Sequence, residues 1–286
     1  MHDLIRKSRH VVLSGGGFKG FAYIGAFLEL RKLGIDWGAG MPKLESITGC
    51  SIGALFSAAI ALGFSAPEME EALSQVNLHS AVTLEFSPSA LSLDSGYGLR
   101  SILETLIERK AKRTITLKEL NTRLRIAVAD LEAQELRLLD AKSAPDLPLI
   151  DALMASMALP PIYPPVEIQG HLCADGGLLN FFPLKEVCED DVIGLRLVST
   201  NDAAIRADLS ASSFPIATYL KHIYNLATVP FLNSVWQTLP DDLRRRTITI
   251  ETPDVNLVEF GLRGGDPRAE IVKAGQKAIR ELELEH

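Results

Sequence analysis

Two glycine clusters and one aspartate carry the residue types and spacing that chemistry requires. Gly49-Cys50-Ser51-Ile52-Gly53 is a G-x-S-x-G sequence, whose small neighbours let the backbone bend sharply and present a serine on a strand-to-helix turn. The helix after such a turn aims its positive end at the serine and favours a developing oxyanion there. The other cluster, Gly15-Gly16-Gly17-Phe18-Lys19-Gly20, fits G-x-G-x-x-G through Gly15, Gly17 and Gly20, the pattern of a dinucleotide-binding turn. That reading needs a second strand ending in an acid about twenty positions on. Asp36 follows only Gly34 and Ile35, which is no strand, and the next strand ends in the serine turn. No G-x-x-x-x-G-K-[ST] occurs, which excludes a Walker-type loop. Backbone N–H donors at a helix start bind an oxyanion as readily as a phosphate, so this loop is read as an oxyanion hole.

A serine nucleophile needs a base. Beyond the midpoint, with His286 set aside as a tag remnant, only His171 and His222 remain. His222 lies in the apolar helical stretch "TYLKHIYNLATV", and His171 in the turn "QGH". Asp175, in "CADGGLLNFFP", is the better candidate. Two glycines after an aspartate make a tight turn, which either holds the carboxylate against another loop or leaves it solvated as an ordinary Asp-Gly turn. Cys50 beside Ser51 invites a thiol reading, but its side chain is expected to point away from the site as a buried structural cysteine. Lys19 reads either as a phosphate or headgroup contact, or as a residue that supports the glycine loop or faces solvent.

These residues need strands and helices to position them. Residues 10–14 read as a buried strand, followed by a helix over Phe18–Leu33 that Gly34 stops. A second strand is expected at Leu44–Thr48, then a small-residue helix after the serine turn. Ser65 and Pro67 open another helix, and a further one covers Leu99–Lys112. Thr116 and Glu119 have capping-box spacing. "RLRIAVADL" and "ELRLLDA" read as neighbouring strands, Asp146 and Pro148 open a helix to Met157, and "DVIGLRLVST" and "RTITIET" are later strands. Asp266 and Pro267 cap a C-terminal helix. The alternation predicts an α/β fold, with a mostly parallel or mixed sheet covered on both faces, as one domain over residues 1–283.

Bulk properties narrow the function. A net charge of -7 argues against a nucleic-acid partner, and Arg244–Arg246 is read as a solvated strand entry. Cys50, Cys173 and Cys188 are too few for a disulfide framework, which points to a reducing compartment. The polar start "MHDLIRKSRH" shows no signal peptide, and no apolar stretch of about eighteen residues predicts a spanning helix. Residues 284–286 read as a vector scar. From Ala211 to Leu239, apolar residues including Phe214, Ile216, Tyr219, Ile223, Leu226, Val229, Phe231, Leu232 and Trp236 make either a lid-like membrane-facing element or a core-covering helix pair.

Together the motifs resemble the patatin-like phospholipase family of serine–aspartate lipid acyl hydrolases. Gly15–Gly20 matches its G-G-G-x-[KR]-G loop, Gly49–Gly53 its G-x-S-x-G elbow, and Ala155–Pro160 its A-S-x-A-x-P segment. Asp175-Gly176-Gly177 matches D-G-[GA], with Asn180 and Pro183 following. The match spans about residues 10–185; the tail from about 200 resembles nothing assignable. The resemblance implies a three-layer α/β/α sandwich, Ser51 as nucleophile, Asp175 as base, and no metal or other cofactor. It implies an oxyanion hole from the Gly15–Gly17 loop, chiefly Gly16 and Gly17, with Ile52. Lys19, Gly20, Gly49, Gly53, Gly176 and Gly177 support the motifs. Ser14 stands where many members have aspartate and is expected to contribute backbone only. The implied activity is of phospholipase A or lysophospholipase type. The substrate is a phospholipid or lysophospholipid at a peripheral membrane surface, with a protein activator as a possible partner and a cytoplasmic or delivered location. An acyltransferase on the same fold and a catalytically silent lipid-binding member are the alternatives.

Overall fold

The computed structural model describes residues 1–77, 81, 92–187, 189–199, 219, 222, 223, 226, 230, 233–253 and 266–284. Cys188 and the tail positions Phe214, Ile216, Val229, Phe231 and Leu232 lie outside the described residues, as do residues 285 and 286. Among the described residues there are eight strands, β1 (His10–Leu13), β2 (Ser46–Cys50), β3 (Arg123–Asp130), β4 (Glu135–Leu139), β5 (Val166–Ile168), β6 (His171–Asp175), β7 (Val192–Ser199) and β8 (Thr247–Thr252). They form one mixed sheet whose pairings run β5-β6-β3-β2-β1-β7-β8, with β4 also paired to β3. The run β3-β2-β1-β7-β8 is parallel, and the pairings of β4, β5 and β6 are antiparallel.

Helices flank the sheet: α1 (His2–Lys7), α2 (Phe21–Lys32), α3 (Ile52–Ala61), α4 (Ala66–Ser74), α5 (Tyr97–Ala111), α6 (Leu149–Ser156), α7 (Asp241–Arg245) and α8 (Arg268–Leu284). Strand residues alternate between faces. Val11 and Leu13 join the larger core with α2 to α6 and α8, whereas Val12 faces a smaller cluster of Phe182, Leu184, Val187, Val192 and Leu239. Ser65 and Glu68 form the capping box that starts α4, and Thr116 and Glu119 another before β3. Asp266 caps α8 through the Arg268 amide.

Among the expected boundaries that move, two lie at the glycine clusters. Strand β2 runs two residues beyond Thr48, since its ladder with β1 continues to Leu13↔Gly49. The expected helix at Phe18 starts as a tight 3₁₀ turn, Gly17–Gly20, before α2 begins at Phe21. Gly17 has φ 55°, and a Cβ on Gly20 would stand 2.2 Å from Ile52 Cγ1, so the turn passes close over α3.

The topology aims these loops at one place. Strand β1 has β2 on one side and β7 on the other, so the loop leaving β1 lies at the switch point where α/β sheets open a crevice. The edges of β3 matter equally. Strands β4 and β2 overlap on β3 at Ile126 and Ala127, so they occupy opposite edges. Strand β6 overlaps β4 at Val128–Asp130 and must therefore share the β2 edge. Strands β2 and β6 thus meet end to end, with Cys50 opposite Ala127 and Asp175 opposite Val128.

Candidate functional site

The serine turn is a strained strand-to-helix elbow. Ser51 caps α3 at φ 53°, ψ −124°, a conformation that L-residues avoid and that persists only when its surroundings enforce it. Those surroundings are close packed. A Cβ on Gly49 would lie 2.3 Å from the Gly53 carbonyl oxygen, and one on Gly53 2.4 Å from that of Leu13. Ser156, from the "ASMALP" segment, fastens the elbow to the sheet. Its hydroxyl accepts from the Ser51 amide at 2.9 Å and donates to the Ala127 carbonyl at 2.7 Å.

The head-to-head ends of β2 and β6 bring Asp175 to Ser51. Asp175 is 4% exposed, and its Oδ1 accepts from the Gly177 amide at 2.7 Å. Burial raises its pKa to about 6, against the opposing pull of hydrogen bonds from Ser51, Gly177 and Cys50. The turn therefore holds the carboxylate against the elbow rather than in solvent. Gly176 permits this approach, since a Cβ there would meet the Ala127 carbonyl oxygen at 2.8 Å and Cys50 Sγ at 3.1 Å.

Cys50 departs from its expectation. Its thiol points not away from the site but at Asp175, with Sγ donating to Oδ1 across 3.8 Å. The reason is the β2–β6 junction, which puts the last side chain of one strand beside the last of the other. Burial pushes the thiol pKa up and the neighbouring carboxylate pushes it further, so Cys50 stays protonated as a donor rather than a nucleophile.

The glycine loop faces the elbow from β1. A Cβ on Gly15 would meet Ser51 Cβ and Phe181 Cβ, each at 3.4 Å. Gly15 cannot serve as an oxyanion donor, because its amide already donates to the Phe181 carbonyl at 2.7 Å. Gly16, Gly17 and Ile52 head the 3₁₀ turn and α3, where amides have no partner within the helix. Ser14 is also corrected. It is fully buried, and its hydroxyl accepts from the Leu197 amide at 2.9 Å and lies 3.1 Å from Tyr23 Oη. The side chain thus extends the β1–β7 ladder one step into the loop. Lys19 supports the loop, its Nζ donating to Ser199 Oγ at the end of β7 at 3.1 Å. Asn180 orders the following turn, accepting from the Phe182 amide and donating to Glu186.

His171 opens β6, four residues or about 13 Å of strand from Asp175. Its Nδ1 lies 2.9 Å from Asp130 Oδ2. Asp130, Glu132 and His171 form a group of metal-binding residue types, yet Asp130 already takes the Arg137 guanidinium and the amides of Glu132 and Ala133. His222 is helical and half-buried in the tail.

A family model described as patatin-like phospholipase matches residues 11–187. The chain is 25% identical over 268 residues to the uncharacterized protein R571 of Acanthamoeba polyphaga mimivirus, covering 89% of this chain and 86% of that one. It is 26% identical over 189 residues to an uncharacterized NTE family protein, Rv2565, of Mycobacterium tuberculosis. That match covers 64% of this chain but 29% of the mycobacterial protein. Among solved structures, VipD from Legionella pneumophila superposes with a TM-score of 0.68 at 17% identity, covering 98% of this chain and 67% of VipD. ExoU of Pseudomonas aeruginosa, solved in complex with SpcU, gives a TM-score of 0.51 at 16% identity, with 97% and 52% covered.

Proposed function

Since this chain belongs to the patatin-like phospholipase family, a family of lipid acyl hydrolases, we propose that it cleaves acyl esters of membrane phospholipids or lysophospholipids through Ser51 and Asp175. The observation that carries the reading is the end-to-end meeting of β2 and β6 on one edge of β3, which sets a buried carboxylate of raised pKa against the strained serine.

In this reading, Asp175 accepts the Ser51 proton as Oγ attacks the ester carbonyl carbon. The carbonyl oxygen becomes an oxyanion received by the amides of Gly16, Gly17 and Ile52. Removing one such donor in other hydrolases costs about 3–4 kcal/mol. The proton then passes from Asp175 to the departing alcohol or lysolipid. Water, deprotonated by the same carboxylate, attacks the acyl-enzyme and frees the fatty acid. The chain works as one domain at a membrane surface. An exposed apolar stripe of Tyr219, Ile223 and Leu226 supports that placement. No helix among the described residues is long and apolar enough to cross a membrane.

The test incubates purified protein with mixed phospholipids, with and without cell extract to supply any protein activator, and identifies released species by mass spectrometry. Fatty acid and lysolipid are expected. A fluorophosphonate should label Ser51, and Ser51→Ala and Asp175→Asn should each abolish release while the protein stays folded. Near wild-type turnover in either variant overturns the dyad.

A further inference from the structure

Arg196, on β7, is a buried cation that the proposed ester chemistry leaves unused. It is 9% exposed, and its Nε is enclosed without a hydrogen-bond partner. The guanidinium carbon sits 4.3 Å from the centroid of the Trp236 ring and 6.0 Å from that of Phe181. The contrast within the molecule is sharp. Arg125, similarly buried, has both carboxylate oxygens of Glu189 on its fork. Among the described residues no acidic side chain is paired with Arg196, and burial alone lowers its pKa. Desolvating a guanidinium that has no counter-charge is unfavourable, and stacking on aromatic faces offsets only part of that.

The position matters as much as the missing charge. Leu195 pairs with Leu13, so Arg196 stands level with Ser14, one residue before the glycine loop. Phe181, whose ring it approaches, takes the Gly15 amide, and Gly15 in turn is packed between Phe181 and Ser51. One ring and one glycine therefore separate this cation from the proposed nucleophile.

We propose that Arg196 is the binding group of an oxyanion subsite beside the glycine loop, and that its ligand is a phosphate, carried by the lipid headgroup or free. A guanidinium fork matches two phosphate oxygens, and charge-assisted hydrogen bonds to them are strong where water is excluded. The lipid source rests on the hydrolase reading above; binding of inorganic phosphate does not.

The two are separated by experiment. Inorganic phosphate is titrated into the full chain against chloride at equal ionic strength, reading tryptophan fluorescence and Tm. Trp236, stacked on the guanidinium, is the reporter, since Trp37 is buried in the larger core. A saturable fluorescence change and a raised Tm are expected. Arg196→Met should lose both, and it is expected to fold, because replacing an unpaired buried charge by an apolar group of similar length is neutral or stabilising. Arg196→Lys keeps the charge without the fork and should respond at higher phosphate, which decides the matter if the methionine variant does not fold. Trp236→Phe should keep the Tm response and lose the optical one. The lipid arm compares phosphatidylcholine with diacylglycerol of the same acyl chains. If the headgroup is the source, Arg196→Met should lower the ratio of their kcat/KM values about tenfold or more. An unchanged ratio with phosphate binding lost assigns the subsite to a free anion. A wild-type protein indifferent to phosphate, or an Arg196→Met variant that responds like wild type, overturns the subsite. Failure of the wild type to hydrolyse any lipid would count against the hydrolase reading and leave the phosphate titration standing.

Discussion

Asp175 is asked to be an anion in a place that disfavours anions. Burial raises its pKa from 3.8 to about 6, and the donors around it limit the rise. As the proposed base it works only when ionised, so kcat/KM should fall as pH drops through about 6 and lie about tenfold below its plateau near pH 5. Cys50 is one of the donors that hold the carboxylate down. Cys50→Ala should therefore move the acid limb to higher pH; a limb that stays put would show the thiol to be packing only. The same shift has a cost in stability, with a definite sign. The unfolded aspartate loses its proton near 3.8 and the folded one near 6. Between those values the folded state binds more protons, so this group lowers stability as pH rises through the window and keeps it lowered above. Asp175→Asn should accordingly keep or raise Tm at pH 8 while ending turnover. A clearly lower Tm would mean that the carboxylate is a structural keystone, not a strained functional group.

At the scale of elements, helices α2 and α8 cross through paired glycines. A Cβ on Gly25 would lie 1.9 Å from the Val272 carbonyl oxygen, and one on Gly275 1.8 Å from that of Ala22. The buried Glu29 on α2 takes Lys32 and Arg280 beside this crossing. Gly275→Ala must push the helices apart and should cost about 1–3 kcal/mol despite alanine's better helix propensity. Thermal melts would show a drop of about 2–4 °C per kcal/mol; an unchanged Tm would sink the close-approach account. Features written into neighbouring residues were legible beforehand. The N-cap at Ser65, the capping box at Thr116, the stop at Gly34 and the elbow around Ser51 each depend on spacings of a few residues. Long-range register was not legible. Nothing near Cys50 or Asp175 says that β2 and β6 share an edge of β3, so the thiol contact was invisible, as was the loss of the Gly15 amide to Phe181. Ser156 could be matched as a motif residue, but its task depends on Ala127, 29 positions away. Arg196 gave no signal, because its oddity is the absence of a partner, and only a fold can show that.

For the whole molecule, the proposed function asks how a chain of net charge -7 would meet a lipid surface. Electrostatic attraction to anionic headgroups is not available to its average field. Apolar contact is the alternative. Tyr219, Ile223 and Leu226 are exposed by 49%, 45% and 71%, and their spacing of four and three residues puts them on one face where they are helical. Seating one such side chain in an apolar layer contributes about 1.5–3 kcal/mol. Trp236, from the same stretch, is instead half-buried against Phe182 and Arg196. The stretch therefore divides, with Trp236 covering the sheet and the stripe facing outward. Leu226→Glu should weaken co-sedimentation with phosphatidylcholine vesicles and lower the ratio of vesicle hydrolysis to soluble-ester hydrolysis about tenfold or more. Wild-type binding should persist at high salt, because no surface ion pairs would carry it. Equal losses on vesicles and on soluble ester would show that Leu226 supports the fold rather than the interface. Vesicle binding abolished by salt would show that a local basic patch does the docking.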